Sequence, residues 1–231
     1  VKHVIQTAIS KIKLHKCKNI HIVILGDLVH GVNYASVSVA SEEIGCEQLM
    51  QVSEILAQSI LELSCHVDHV YVHTTYGNHA RTIQNKNDSI HADNMEKIVG
   101  WWLKARFDGH DNITIDDTQQ YEFILFDVCG HSFRGTHGDL DNVKSSPRIL
   151  SALFQKQYGV TIEYVLLGDK HHRESFDELG MTAMLCGSLC GTDDFANDRR
   201  LYSTPSQLLL IVNNEDGIDA EYRIQCKEHI G

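Results

Sequence analysis

The stretch that decides the fold is Asn19-Ile-His-Ile-Val-Ile-Leu-Gly-Asp-Leu-Val-His30, an apolar run that ends in glycine and then in polar residues. Such a run is typical of a buried β-strand, and the glycine lets the backbone turn sharply where the strand ends. Three later stretches repeat the arrangement: Gly77-Asn78-His79, Gly135-Thr136-His137-Gly138 and Gly168-Asp169-Lys170-His171-His172. Because strand carboxyl ends in an α/β sheet meet at one crevice, we expect these polar side chains to form one site.

Helical and extended patterns alternate in the first half of the chain, and extended patterns dominate the second half. Helices are predicted over residues 1–12, 41–64 (with Ser41 as the N-cap), 95–107 and 146–158. Strands are predicted over 19–25, 67–76, 121–128, 131–135, 162–167, 181–186, 207–212 and 218–224. We therefore predict a single domain of the α/β class over residues 1–231, with two packed mixed β-sheets flanked by helices in an α/β sandwich.

The composition is that of a globular protein. Hydrophobic residues make up 42% and charged residues 22% of the 231 residues, which excludes disordered, collagen-like and coiled-coil chains. The net charge of -11 argues against a protein that coats nucleic acid through bulk positive charge. No apolar run approaches the roughly 18 residues of a membrane helix, so we expect no membrane partner. The seven cysteines are widely spread, which favours a reduced, cytoplasmic protein.

Aspartate, asparagine and histidine after the strands suggest metal chemistry. A single Gly-Asp pair is most often an ordinary turn, so one such motif carries little information. Four of them in this order, each at a strand end, indicate a site. Oxygen and imidazole ligands together suit Mn, Fe or Zn better than Ca or Mg.

With these motifs the chain resembles the calcineurin-like metallophosphoesterases, whose pattern is D-x-H, G-D-x-x-D/H, G-N-H-D/E, H-G and G-H-x-H. The last four motifs correspond here to Gly26-Asp27 with His30, to Gly77-Asn78-His79, to His137-Gly138, and to Gly168-Asp169-Lys170-His171. The resemblance covers nearly the whole chain. Gly-Asp-Leu-Val-His is most similar to the SbcD-like DNA repair exonucleases, and the stretches 187–194 and 204–207 are similar to phage and prophage metallophosphoesterases.

The resemblance implies an α/β/β/α metallophosphoesterase sandwich and a dinuclear, metal-dependent hydrolase. Its substrate would be a phosphodiester, with DNA favoured, so that the protein would be an exonuclease or nuclease. The two divalent transition metals would be Mn, with Fe or Zn as alternatives, and their ligands would be Asp27, Asn78, His137, His171 and Asp169. His79 would protonate the leaving oxygen, and His30 would contact the phosphate.

Two departures from the family pattern keep alternatives open. No D-x-H precedes Asp27, so the resemblance implies a chain truncated before Val1, which as written binds at most one metal tightly and hydrolyses phosphodiesters poorly. Asp169 stands where the family has a histidine, and it is either a ligand or a solvated loop residue. His172 is the alternative to His171. The second candidate function is a non-catalytic phosphoesterase-like subunit or nucleic-acid-binding module in a replication or repair complex.

Five arginines near these motifs could also bind phosphate, namely Arg81, Arg134, Arg173, Arg199 and Arg200. We expect each of them to be exposed to solvent.

Overall fold

The computed structural model describes residues 1–31, 43–119, 122–190 and 204–226. The chain forms two compact units. The N-terminal unit is Ile12–Ile124, and the C-terminal unit consists of Val1–Lys11 and Leu125–Gly231. Helix α1, Lys2–His15, contributes residues to both. Among the described residues, no helix combines the length and the apolar character needed to cross a membrane.

The N-terminal unit is built on a three-stranded parallel sheet. Its strands are β1 (Asn19–Ile24), β2 (His69–Thr74) and β3 (Ile113–Asp116), in that order. Parallel strands need long crossover connections, and helices α2 (Gly45–Ser64) and α3 (Lys97–Arg106) lie in those connections.

The core of this unit lies between the helices and one face of the sheet. Val70 and Val72 of β2 are fully buried, and they belong to the same apolar cluster as Ile60 of α2 and Leu103 of α3. Because side chains alternate along a strand, the neighbouring residues of β2 lie on the other face. That face therefore carries the polar side chains of the sheet.

The C-terminal unit contains a five-stranded mixed sheet and a hairpin. The sheet order is β4 (Ile124–Val128), β5 (His131–Thr136), β6 (Tyr164–Leu167), β8 (Met181–Leu185) and β7 (Glu174–Glu178). Strands β5, β6 and β8 are parallel, whereas β7 is an antiparallel edge strand. Helix α4 (Ser146–Tyr158) ends at the left-handed Gly159. Strands β9 (Ser206–Asn213) and β10 (Gly217–Gln225) form an antiparallel pair.

The predicted α/β class, with sheets flanked by helices, is confirmed. The sequence pattern misses β3, which has only four residues, and β7, whose sequence Glu-Ser-Phe-Asp-Glu is too polar to be recognised as a strand. An edge strand such as β7 has a neighbour on one side only, so it tolerates that polarity. Ser41 lies outside the described residues, and α2 is described from Gly45 onward. The single-domain organisation stays a prediction.

Candidate functional site

In the N-terminal unit, the loops that follow β1 and β2 are in direct contact. The backbone N–H of His79 donates to Oδ1 of Asp27 at 2.9 Å. The ring Nε2 of His79 lies 3.7 Å from Oδ2 of the same carboxylate. The structure therefore brings together two of the predicted motifs, and the Asp27 carboxylate is oriented by the loop that carries Asn78 and His79.

Two glycines make this close approach possible. Gly26 has a φ of 86°, in the left-handed region that suits glycine, and a Cβ there would lie 2.2 Å from the backbone nitrogen of Gly77. A Cβ on Gly77 would lie 2.0 Å from Oδ1 of Asp27. Gly26 is therefore needed for the turn and for the contact, whereas Gly77 is needed for the contact.

His79 and His30 lie together at the end of these loops. Nδ1 of His79 is 3.1 Å from the carbonyl oxygen of His30, so this nitrogen donates the hydrogen bond. The two rings are 6.5 Å apart, and His30 is exposed. The backbone of His30 thus orients the His79 ring, with Nε2 towards Asp27, while the His30 ring is accessible to solvent.

Glu96, which the sequence analysis does not single out, joins the two loops. Its Oε1 accepts a hydrogen bond from the backbone N–H of Leu28 at 2.6 Å, and its Oε2 accepts one from the N–H of Gly77 at 2.8 Å. Its own backbone N–H donates to Oδ1 of Asn94, whose amide donates to the carbonyl of Gly77. Glu96 is only 3% exposed. One buried carboxylate therefore fixes the spacing of the loops that carry Asp27 and Asn78.

Arg81 is a buried residue that forms hydrogen bonds with the turn after Asn78. Its guanidinium donates to the carbonyl oxygen of Asn78 at 2.5 Å and to that of Gln84 at 2.7 Å. The predicted exposed position of Arg81 is wrong, because the residue is 4% exposed. Its hydrogen bonds hold the turn after Asn78.

In the C-terminal unit, His137 and Asp169 are neighbours. His137 follows β5 and is 3% exposed, and its Nε2 lies 3.5 Å from Oδ1 of Asp169. Lys170 donates to Oδ2 of Asp169 at 2.7 Å. Burial raises the pKa of Asp169, but the adjacent His137 and Lys170 outweigh it, so the pKa lies well below its ordinary range. The Asp169 side chain is partly buried, and the choice between a ligand and a solvated loop residue stays a prediction.

The two adjacent histidines after β6 differ in their surroundings. His171 is partly buried and has a φ of 59°, and among the described residues no hydrogen bond or ion pair joins its ring to His137 or Asp169. The His172 ring is 54% exposed, and its Nδ1 donates to the carbonyl of Lys170 at 2.7 Å. The choice between them as a ligand stays a prediction.

A column of rings covers the polar face of the N-terminal sheet and is a second feature that the sequence analysis misses. Tyr71 stacks on His69 at 4.3 Å and on His21 at 4.7 Å, and Nδ1 of His21 is 3.0 Å from Nε2 of His73. Burial, with the nearby imidazoles of His73 and His69, lowers the pKa of His21 to about 4. Asp116 closes the column, 3.6 Å from Nδ1 of His73. The alternation His-Val-Tyr-Val-His in β2 is the signal that could have identified it.

No protein-family model and no curated protein matches this chain. Among solved structures it is similar to an archaeal phosphodiesterase, with 15% identity, a TM-score of 0.41, and 88% of this chain and 99% of that chain covered. It is also similar to the zinc complex of Vps29 from Entamoeba histolytica (15% identity, TM-score 0.40, 89% and 98% covered). A third similar structure is a predicted phosphoesterase from Streptococcus pneumoniae, with 11% identity, a TM-score of 0.36, and 90% and 97% covered. Similarity at this level assigns no activity, so the family resemblance depends on the motifs.

Proposed function

We propose that this protein is a dinuclear metal-dependent phosphoesterase that hydrolyses phosphodiester bonds, with DNA as the favoured substrate. The observation that carries the proposal is the hydrogen bond from the His79 backbone to the Asp27 carboxylate, 2.9 Å long. This bond keeps the Asp27 carboxylate, the Asn78 amide and the His79 imidazole on two loops that are in contact. The buried Glu96 joins the same loops, because it accepts a backbone hydrogen bond from each of them. Such preorganisation is what a catalytic constellation requires.

The donor set suits transition metals. Asp27 and Asn78 supply oxygen in the N-terminal unit, and His137, His171 and Asp169 supply imidazole nitrogen and carboxylate oxygen in the C-terminal unit. This mixture fits Mn, and Fe or Zn after it. Bound divalent ions would polarise the phosphoryl oxygens and offset the negative charge of the phosphodiester.

The proposed roles of the two other histidines follow from their orientation. Nδ1 of His79 donates to the carbonyl of His30, so Nε2 is the nitrogen that exchanges a proton with the reacting oxygen. The ring of His30 is exposed and accessible to a phosphate oxygen. His79 thus acts as the general acid, and His30 binds the phosphate.

The decisive experiment measures bound metal and hydrolysis together. The dialysed protein is analysed for metal, then assayed with Mn on bis(p-nitrophenyl) phosphate and on single-stranded and duplex DNA. Asp27→Asn should lose both metal and turnover, because the Asp27 carboxylate would be a metal ligand. His79→Ala should retain metal and lose about 10²–10⁴ in maximal rate. The exposed Glu62→Gln serves as a control that should change neither quantity.

Several outcomes would overturn the proposal. Unchanged hydrolysis in Asp27→Asn would remove Asp27 from the site, and loss of metal in His79→Ala would make His79 a ligand instead of an acid. Hydrolysis of an aryl phosphomonoester without hydrolysis of the diester would contradict the substrate class. Because the net charge is -11, we expect weak binding to duplex DNA even where hydrolysis is found.

The second candidate is a non-catalytic phosphoesterase-like subunit or nucleic-acid-binding module. The observation in its favour is the Lys170 ammonium, which already neutralises the Asp169 carboxylate that a metal would need. Under this alternative the protein binds labelled single-stranded DNA without hydrolysing it, and removal of metal by a chelator leaves binding unchanged. The same assay therefore separates the two functions.

We further propose a reducing, cytoplasmic location. No disulfide joins any of the seven cysteines, all of which lie in the described part of the chain. Thiols in this number persist in compartments where glutathione keeps them reduced. Fractionation of cells that express the protein would test the location directly.

A further inference from the structure

Arg134, in β5, is a buried cation with few hydrogen bonds. It is 5% exposed, and its only hydrogen bond in the described part of the chain runs from one terminal nitrogen to the carbonyl of Phe133 at 3.1 Å. Its Nε is fully buried and has no hydrogen-bond partner there. The predicted exposed position of Arg134 is therefore wrong. A buried charged group that is left under-bonded is costly, so a ligand that pairs with the terminal nitrogens of this guanidinium would stabilise it.

An open cavity of about 430 Å³ lies beside this guanidinium, within the C-terminal unit. Leu125, Phe126 and Val160 supply its apolar lining, and Ser132 and Thr161 add polar groups beside the two charged residues. The volume is within the range of small-molecule sites. The ring of Phe154 lies 5.3 Å from the guanidinium carbon and supports it from the side.

We propose that this cavity binds a small organic carboxylate, which pairs with the Arg134 guanidinium and places its apolar body against Leu125 and Val160. The planar guanidinium matches a carboxylate in shape and pairs with it through two parallel hydrogen bonds. None of the proposed metal ligands lines the cavity, so the site is separate from the proposed phosphoesterase chemistry.

Asp127 lines the same cavity and is exposed, so it adds negative charge at the opening. A carboxylate with an apolar body is favoured over inorganic phosphate, because only the carboxylate has an apolar part to place against Leu125 and Val160. Burial lowers the pKa of Arg134 while Asp127 raises it, and the guanidinium remains charged.

The test titrates the metal-free protein with benzoate and follows chemical shifts by NMR. Benzamide, the neutral analogue of the same shape, and inorganic phosphate are titrated in parallel. We expect saturable benzoate binding with a Kd on the order of 1 mM, and weaker binding of the other two probes by about tenfold or more. Equal binding of benzoate and benzamide would overturn the role of the charge. Tighter binding of phosphate than of benzoate would overturn the ligand class, and no benzoate binding would overturn the site.

Two variants shift the affinity in opposite directions. Arg134→Gln should weaken benzoate binding by about tenfold or more, because it removes the charge and the paired donors. Asp127→Asn should tighten it by about threefold to fivefold, because it removes a like charge at the opening. If Arg134→Gln does not fold, the exposed Asp127 variant decides the question. Unchanged or weaker benzoate binding in Asp127→Asn would refute the proposed arrangement.

Discussion

Replacing Glu96 by glutamine tests whether one buried carboxylate holds the two loops of the candidate site. Each of its oxygens accepts a backbone N–H, from Leu28 at 2.6 Å and from Gly77 at 2.8 Å. Glutamine keeps one oxygen and turns an NH₂ group towards the other N–H, which is then left buried without an acceptor. Hydrogen bonds to a charged group contribute about 1.5–3 kcal/mol, and a buried donor left unsatisfied adds its own cost. We expect the free energy of unfolding to fall by about 2–4 kcal/mol.

Two measurements check this expectation. Urea denaturation gives the change in stability, and amide hydrogen exchange reports the two N–H groups directly. One of the Leu28 and Gly77 amides should exchange faster in Glu96→Gln, because it has lost its acceptor. Glu62→Gln is the matched control: Glu62 is exposed in the last turn of α2, so its stability should change by less than about 0.5 kcal/mol. A Glu96 variant as stable as this control, with unchanged exchange at both amides, would refute the reasoning.

Three further predictions concern other parts of the chain. Gly77→Ala should displace the Asp27 carboxylate, since the new Cβ would lie 2.0 Å from Oδ1, and should weaken Mn binding by about tenfold or more. The exposed Glu62→Gln should leave Mn binding unchanged in the same calorimetric titration. His21 has an ordinary pKa of 6.5 and a folded pKa of about 4, so its contribution to stability is complete above pH 6.5 and is lost as the pH falls to 4. His21→Phe should therefore flatten the pH dependence of urea unfolding in that interval, and an unchanged slope would exclude the buried neutral imidazole. Phe133→Ala should cost about 3–5 kcal/mol in thermal or urea unfolding, because Phe133 is 2% exposed, and a loss below 1 kcal/mol would contradict its place in the core.

Short segments of the sequence determine much of the local structure of this protein, namely its strands and turns. The apolar run 19–24 forms β1, and Gly26 adopts the left-handed turn that its position after the strand predicts. These features depend on neighbours along the chain, since hydrophobic alternation and backbone freedom are properties of a short segment. The placement of Asp27 and Asn78 at strand ends follows for the same reason. The metal-binding and catalytic roles stay predictions.

Tertiary structure alone decides which charged residues are buried and what they join. Nothing in the sequence around Glu96 separates it from an ordinary acid at the start of a helix, yet its carboxylate bridges backbone groups of Leu28 and Gly77. Arg81 and Arg134 look like solvated arginines, and both are buried. The free energy of burying a charge depends on which distant segments cover it and which groups they offer. Those segments are brought together only by the packing of the sheets and helices. A local sequence pattern therefore does not predict which charged residues are buried.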